Sequence, residues 1–199
     1  MNRGDRETHV IDYPAAANLV AAILCAIHRG EAPNYFITIH LETIWARRAQ
    51  RFVTRFMKSL GDWLAYKGTP RVYVWVLENP SNHGLHLHVI VRFPPGFALP
   101  KELAIGWAEK AGASAPDAPG GIEFERVYNP MRLVSYLLKG AEAETLQRLE
   151  ENYPEFTAWD PSPQGRIVGK RCGVSERIDR AARFRYYRRI ALAKMRSLR

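Results

Sequence analysis

The sequence predicts an α+β fold with a central antiparallel sheet and flanking helices. Short runs of β-branched and aromatic residues alternate with longer runs of helical periodicity, in the order α-β-α-β-β-α-β-α. Two of the strands, 71–77 and 85–93, are separated only by the turn-forming residues 79–84, which predicts a hairpin. With helices between three or four adjacent strands, we expect a ferredoxin-like sandwich whose sheet is covered on one face.

The first two elements follow from local signals. Asp12-Tyr13-Pro14 starts a helix, because proline fits the first helical turn, and the helix runs to about His28 before Gly30 ends it. The β-branched and aromatic run 34–41 then predicts a strand.

The remaining elements rest on the same kinds of signal. Apolar residues recur at helical spacing in one long segment, whereas the run before the turn is apolar on both faces, as in a central strand. We expect, in chain order, a helix at 46–66, strands at 71–77 and 85–93, a helix at 99–111, a loop at 112–121, a strand at 122–127, one helix at 131–151, a loop at 154–165, an edge strand at 167–168 and a basic helix capped by Ser175.

Length and composition predict one globular domain with an extension. The chain has 199 residues, of which 47% are hydrophobic and 25% charged. We divide it into an N-terminal helical segment at 1–33, a core at 34–165 and a basic helical extension at 166–199. Cys25 and Cys172 are far apart and form no CxxC motif, so we expect reduced thiols in a cytoplasmic protein.

The distribution of charge singles out the end of the chain. The net charge is +9, and the last 34 residues have 12 lysines and arginines against two acidic residues. Such a basic segment binds phosphates by default, although it is also compatible with a solvated helix face. The apolar run 14–27 is shorter than the roughly 20 residues that span a bilayer, so we expect a packing helix and no membrane partner.

The tripeptide His86-Leu87-His88 is the first candidate site. Residues i and i+2 of a strand point to the same face, so both imidazoles project together while Leu87 points into a core. If the hairpin pairs Glu78 with His86, its carboxylate joins them. Imidazole and carboxylate ligands suit Mn²⁺ or Mg²⁺, and two histidines also accept Zn²⁺ or Cu²⁺. An isolated His-x-His is more often a strand face without an ion.

Further histidines and a threonine belong to the same region. His40 and Thr38, on the first strand, have the parity to face the same side as the histidine pair. His83 lies in the turn, where it is either a ligand or a loop residue.

Tyr136 and Lys139, about fifty residues further on, are the second candidate site. They lie about one helical turn apart on one face of a helix. A phenol is a weak nucleophile at neutral pH, and an adjacent ammonium and a metal-bound phosphate activate it for attack on phosphorus. The alternative is that Tyr136 packs with Leu133 and Leu137 while Lys139 reaches solvent.

Taken together, these residues resemble the HUH endonuclease superfamily, and within it the single-tyrosine rolling-circle replication initiators, or Rep proteins. The resemblance covers about residues 34–140. Its three motifs correspond to Phe36-Ile37-Thr38-Ile39, His86-Leu87-His88 and Tyr136-x-x-Lys139. It implies an HUH-type antiparallel sheet, with 34–165 as the nuclease core.

The resemblance also implies a mechanism. His86 and His88 would bind Mn²⁺ or Mg²⁺, with Glu78 as third ligand. Tyr136 would attack single-stranded DNA at the replication origin of a plasmid or phage, remain joined to the 5′ phosphate and release a 3′ hydroxyl. Lys139 would orient the phosphate or the tyrosine, and the reverse reaction would rejoin ends.

The basic extension adds candidate DNA contacts. No GxxxxGK[ST] motif occurs, so unwinding must come from another protein, which leaves a host helicase and polymerase as candidate partners. Cations and stackable rings alternate in the extension, which suits single strands. The predicted DNA-binding residues are Lys170, Arg171, Arg183, Arg185, Arg188 and Arg189.

Two alternative functions stay open. One keeps the chemistry in a transposase or a mobilisation relaxase. The other is a non-catalytic nucleic-acid-binding module, in which Tyr73 and Trp75 on the sheet and the basic tail contact the strand.

Overall fold

The computed structural model describes residues 7–41, 48–97, 99–113 and 121–197. Its α-helices are α1 (Tyr13–His28), α2 (Ala49–Tyr66), α3 (Lys101–Ala111), α4 (Pro130–Leu137), α5 (Ala143–Asn152) and α6 (Arg180–Ser197), with short 3₁₀ helices at Leu138–Gly140 and Glu176–Ile178. Its strands are β1 (Glu7–Thr8), β2 (Tyr35–His40), β3 (Tyr73–Glu78), β4 (His86–Val91), β5 (Ile122–Arg126), β6 (Ile167–Val168) and β7 (Cys172–Val174).

The α+β class and the central antiparallel sheet are confirmed. The main sheet has five strands in the order β5-β2-β4-β3-β7, and its recorded pairings are antiparallel. The predicted hairpin is β3–β4, and β4 is the middle strand of the sheet. A separate two-stranded sheet pairs β1 with β6.

The expectation that helices cover only one face of the sheet is wrong. Alternate residues of β2, β3 and β4 enter two cores: Ile37, Leu77 and Leu87 pack with α2 and α3, whereas Phe36 and Val76 pack with α1, α4 and α5. Both faces of a strand that is buried on both sides are apolar, as the sequence of β3 shows. Any site on this sheet therefore lies between the sheet and a helix layer, at the end of the strands.

The predicted single helix at 131–151 is broken. α4 ends at Leu137, a 3₁₀ turn spans Leu138–Gly140, and α5 begins at Ala143. The Ile11 backbone N–H donates to the Gly140 carbonyl, and Ile11 bridges Ala141 in parallel. These long-range bonds satisfy the backbone where the helical pattern stops, and no local sequence signal reports them.

The structure corrects three details near the end of the chain. Val168 and its neighbour pair with β1 and not with the main sheet, whose edge is β7, a strand the sequence does not predict. Ser175 does not cap the basic helix, because its hydroxyl accepts a hydrogen bond from the Tyr73 backbone at 3.2 Å. The carboxylate of Asp179 caps α6 instead, at 2.7 Å from the Ala182 nitrogen.

The two terminal segments are tied into the core. α1 begins at its predicted cap, since Asp12 Oδ1 accepts from Ala15 N at 2.9 Å, and its apolar residues pack beneath α4 and α5. α6 docks on the end of α1, where Arg183 donates to Asn18 Oδ1 at 2.7 Å. None of the helices in the described part of the chain is long and apolar enough to cross a membrane.

An ion-pair cluster joins the 3₁₀ turn before α6 to the end of α1. Arg177 Nε donates to Glu31 Oε2 at 3.2 Å, and Arg29 Nε lies 3.1 Å from the same oxygen. Burial by itself raises the pKa of Glu31, but the hydrogen bond and charge of Arg177 and the charge of Arg29 outweigh it and lower that pKa below its ordinary value of 4.5.

This cluster predicts a pH-dependent stability. Because the folded pKa of Glu31 is depressed, its contribution is present above pH 4.5 and is lost as pH falls through the folded value. We expect Glu31→Gln to lower the free energy of unfolding by about 1–2 kcal/mol at pH 7 and the difference from wild type to shrink as the pH falls below that range. Urea unfolding at pH 7, 5, 4 and 3 measures it.

The control is Glu109→Gln, which removes an exposed negative charge from α3. A gap between wild type and Glu31→Gln that stays constant down to pH 3 contradicts the assignment of the stabilisation to this carboxylate.

Candidate active site

The histidine pair lies on the middle strand of the sheet, and the register places its neighbours. Glu78 of β3 pairs directly with His86, and His40 of β2 pairs with His86 from the other side. Thr38 pairs with His88. Since directly paired residues share a face, the five side chains lie together at one end of the sheet, on the side covered by α4. The hairpin pairing and the parities of Thr38 and His40 are as the sequence predicts.

This polar cluster is buried. Glu78 is 3%, His86 6% and His88 8% exposed. His88 has partners at both ring nitrogens, since Nε2 lies 3.4 Å from Glu78 Oε2 and Nδ1 lies 3.1 Å from the Thr38 hydroxyl. With Nε2–H donating to the carboxylate, Nδ1 accepts from the threonine, which fixes the ring and its tautomer.

Burial sets the charge states here. Desolvation, with the nearby charges of His40 and His88, lowers the pKa of His86 to about 4, so its imidazole is neutral at pH 7. Desolvation by itself raises the pKa of Glu78, but the hydrogen bond from His88 and the charge of Lys139 outweigh it and lower that pKa. The cluster therefore contains an ionised carboxylate beside a neutral imidazole, which is the protonation state that a cation requires of its ligands.

Tyr136 and Lys139 reach this cluster from above. Tyr136 belongs to α4, and Lys139 belongs to the 3₁₀ turn that follows. The Lys139 ammonium lies 3.3 Å from Glu78 Oε2 and 3.6 Å from the centre of the Tyr136 ring. Lys139 therefore does not extend into solvent, because it joins the carboxylate of the sheet to the phenol of the helix.

The turn that carries Lys139 is held from two sides. The Ser162 backbone N–H donates to the Lys139 carbonyl at 2.8 Å, and the Gln164 side chain lies where a Cβ on Gly140 would stand, 2.6 Å from its Cγ. Gly165 has φ +64°, and a Cβ there would be 1.7 Å from the Asn79 carbonyl oxygen. The loop after α5 is thus fixed against the end of β3, beside Glu78.

A cavity of about 330 Å³ joins all the predicted site residues of sheet and helix. We call it the histidine cavity. The side chains from the motifs that line it are Glu78, His86, His88, Tyr136 and Lys139, with Thr38, His40 and His83. The structure therefore brings together residues that lie more than fifty positions apart in the chain.

The present side-chain conformations do not form a ready-made metal site. Within the described residues, no group of three or more histidine, cysteine, aspartate or glutamate side chains is arranged to hold an ion. The rings of His86 and His88 are stacked, 5.9 Å apart and nearly parallel at 4°, instead of converging. Two buried atoms in the cluster, Glu78 Oε1 and His86 Nδ1, nevertheless have no hydrogen-bond partner among the described residues.

Comparison with known proteins adds to this geometry. The sequence profile of a family described as Replication-associated protein ORF2 matches residues 34–142.

The chain belongs to this family.

Membership gives the protein a role in the initiation of rolling-circle replication, and with it an endonuclease activity and binding to origin DNA. The matched segment runs from the start of β2 to just beyond the 3₁₀ turn, so it contains all three motifs of the resemblance. No curated protein and no solved structure matches the chain significantly.

The predicted DNA-binding residues of this replication initiator divide into two groups. Arg185, Arg188 and Arg189 are exposed on α6, and Lys170 is exposed before β7. Arg171 is only 4% exposed, and its guanidinium donates to the carbonyls of Gln164 and Thr8. Arg183 donates to Ile178 O at 2.7 Å as well as to Asn18. The two inward-facing arginines therefore support the fold, and only the other four of this predicted set present an exposed side chain to a phosphate.

Tyr73 and Trp75, the stacking residues of the non-catalytic alternative, are not on an open face. Trp75 is buried in the core beneath α2, and a Cβ on Gly173 would be 2.7 Å from its ring. Burial also raises the pKa of the Tyr73 hydroxyl. Neither ring has a free face on which a base could stack.

Several residues of the site are not found by sequence reasoning. Ser162, Gln164 and Trp159 come from the loop after α5, which has no periodic pattern. Trp159 meets the Tyr136 ring edge-on at 5.6 Å between centroids. The available signals are Gly140 and Gly165, which leave room for the loop to approach the turn and the end of β3.

The Glu78–Lys139 pair predicts a measurable coupling. Removing one partner leaves the other charge buried, so Glu78→Gln and Lys139→Met should each destabilise the metal-free protein, and the double variant should lose less than the sum. We expect a coupling energy of about 1–3 kcal/mol from urea unfolding in EDTA.

Lys58 and Asp62, an exposed pair at i, i+4 on α2, provide the matched control cycle and should show a smaller coupling. Additive effects of the Glu78 and Lys139 substitutions would show that the buried contact is not energetically significant.

Proposed function

We propose that the protein is a metal-dependent, single-tyrosine HUH endonuclease that nicks and rejoins single-stranded origin DNA of a plasmid or phage through a covalent 5′-phosphotyrosine. One observation carries the proposal: Tyr136 and Lys139 line the same cavity as His86, His88 and Glu78, with the lysine ammonium between the carboxylate and the phenol ring.

The nucleophile is the Tyr136 hydroxyl. As its oxygen bonds to phosphorus, the bond from phosphorus to O3′ breaks, the phenol proton is lost and O3′ leaves with a proton as a hydroxyl. Lys139 stabilises the negative charge that develops on the phenol oxygen, because its ammonium already lies against the ring. The strand stays joined to the protein through its 5′ phosphate, and attack by a 3′ hydroxyl reverses the step.

The cation ligands are His86, His88 and Glu78. Two features of the cluster fit a divalent ion: an ionised carboxylate beside a neutral imidazole, and the buried, unpartnered atoms Glu78 Oε1 and His86 Nδ1. Imidazole and carboxylate donors suit Mn²⁺ or Mg²⁺. When bound, the ion polarises the scissile phosphate. Ligation requires rotation of side chains, since the imidazoles are stacked and Lys139 contacts Glu78.

The exposed basic face of α6 contributes affinity without sequence information. Arg185, Arg188 and Arg189 present guanidinium groups to solvent beside exposed aromatic residues such as Phe184 and Tyr187. Such a surface binds the phosphates of a single strand and holds it near the nuclease core. Unwinding and synthesis are left to a host helicase and polymerase.

Covalent adduct formation tests the chemistry. Single-stranded oligonucleotides that tile the DNA flanking the gene are incubated with the protein and Mn²⁺ and resolved on denaturing gels. We expect an adduct with a 3′-labelled strand and none with a 5′-labelled strand, because the tyrosine keeps the 5′ phosphate. Tyr136→Phe should abolish the adduct, and Lys139→Met should slow its formation by about 10- to 1000-fold.

Tyr128→Phe is the matched control, since Tyr128 is a nearby exposed tyrosine on the connection between β5 and α4. An adduct that persists in Tyr136→Phe, or that carries the 5′ label, would overturn the proposal.

The metal ligands have a separate test that needs no DNA. Thermal unfolding in increasing Mn²⁺ should raise the Tm of the wild type by about 5–10 °C at 100-fold excess over Kd, from about 2.7 kcal/mol of linkage. We expect His86→Ala, His88→Ala and Glu78→Gln to lose most of this shift.

His28→Ala serves as control, because His28 lies at the end of α1 and contacts Tyr187. A shift of equal size in the His88 and His28 variants would place the ion elsewhere.

A further inference from the structure

A second cavity adjoins Tyr136 on the side away from the histidines. It measures about 440 Å³ and is lined in part by Phe36, Arg126, Tyr128, Arg132 and Trp159. Tyr136 lines both this cavity and the histidine cavity. We call it the tryptophan cavity. A strand that crosses Tyr136 and continues in this direction must pass over it.

Cations and aromatic rings alternate along the wall that separates the two cavities. Lys139 lies over the Tyr136 ring, the Tyr136 ring meets Trp159 edge-on, and the Arg132 guanidinium lies 5.9 Å from the centre of the Trp159 ring. Arg132, Tyr136 and Lys139 are spaced by four and three residues, so one face of α4 and its following turn presents all three. Phosphates and bases of a single strand require this alternation.

The Trp159 ring is exposed but held in place. It is 41% exposed, so part of the ring is open to solvent. Its loop is anchored just before it, where Ala158 N donates to Glu150 Oε1 at 2.9 Å, and just after it, where Ser162 N donates to Lys139 O at 2.8 Å. A ring fixed before its ligand arrives loses little conformational entropy on stacking.

A second ring stands at the other side of the cavity. Tyr128 is 91% exposed and lies one residue before Asn129, whose side chain caps α4 by accepting from Arg132 N at 3.0 Å. Arg126 and Arg132 supply positive charge, and Glu125 supplies an acceptor for the N–H groups of a base edge. The cavity thus combines two exposed rings, cationic groups and a hydrogen-bond acceptor.

We infer that the tryptophan cavity binds an unstacked nucleobase of the single strand next to the cleaved phosphate, with Trp159 and Tyr128 stacking on the base and Arg132 contacting the backbone. This inference rests on the proposed function, because it takes the strand to lie across Tyr136. A nucleobase fits the cavity better than an apolar peptide segment does, since its flat faces match the rings and its polar edge matches Glu125 and the arginines.

Binding is measured without cleavage, in EDTA, by fluorescence anisotropy of labelled single strands that tile the DNA flanking the gene. We expect Trp159→Ala and Tyr128→Ala each to weaken the best strand by about 5- to 100-fold, and Trp159→Phe to recover most of the loss because it restores a ring. Tyr66→Ala, which removes an equally exposed ring from the end of α2, should bind like wild type.

Salt dependence separates stacking from charge. Arg132→Gln should reduce the slope of log Kd against log salt by about 1, whereas Trp159→Ala should leave the slope unchanged. Arg55→Gln, an exposed arginine on α2, is the matched charge control and should leave both affinity and slope unchanged. Thermal unfolding of each variant confirms that it is folded.

An abasic residue moved along the strand locates the base. At one position next to the cleaved phosphate, the abasic strand should bind wild type as weakly as the intact strand binds Trp159→Ala, and the two losses should not add. Additive losses at every position overturn the inference, as does wild-type affinity in both ring variants, which is also the result if the cavity takes a peptide or a second copy of the chain.

The outcomes distinguish the two proposals. If wild type forms the Tyr136 adduct while both ring variants bind strands normally, the base-binding cavity is wrong and the nuclease assignment stands. If the ring variants form less adduct but bind normally, Trp159 only positions Tyr136, and base binding is again wrong. If wild type binds no single strand, both proposals are wrong.

Discussion

The pairing register of the three central strands is the constraint on which the candidate site depends. His86 faces Glu78 and His40 across two strand pairs, and His88 faces Thr38 in the adjacent row. Because side chains alternate along a strand, a slip of one residue in β4 would send both imidazoles into the core under α2 and bring Leu87 to the site. The apolar residues on the opposite face of β4 oppose that slip, so hydrophobic burial determines where the polar cluster lies.

The second half of the site depends on a helix that stops early. An uninterrupted helix over 131–151 would carry Lys139 onward with the helical twist, whereas the 3₁₀ turn holds it where Glu78 and the Tyr136 ring are both in reach. Backbone bonds from Ile11 and Ser162 secure that turn, and Gln164 covers Gly140. The nucleophile and its lysine are therefore positioned by segments that lie far from them in sequence.

This division explains what could be predicted from sequence. The strand pair, the first helix with its Asp12 cap, and the shared face of His86 and His88 follow from periodicity and turn chemistry, which are local. The break after Leu137, the strand β7 and the loop with Trp159 do not, because each is stabilised by partners from elsewhere in the chain, such as Ile11 and β3. The same cause misplaced the cap of α6, since Ser175 is used by Tyr73. The prediction that Arg171 and Arg183 are surface cations is wrong because charge composition carries no information about burial.

The buried charges suggest why this arrangement is kept. A carboxylate and an ammonium removed from water give little net stability, and an apolar pair of similar size often stabilises a fold as well or better. Here the carboxylate has two contacts at one oxygen, from His88 and Lys139, and an unsatisfied second oxygen that faces the same cluster. A structural ion pair would be expected to satisfy both oxygens, because a buried unpaired acceptor costs free energy. An arrangement that leaves Glu78 Oε1 and His86 Nδ1 without partners makes sense if a ligand supplies the missing contacts. Lys139 then links the two halves of the site, because any cation that draws the carboxylate away changes the environment of the Tyr136 phenol as well.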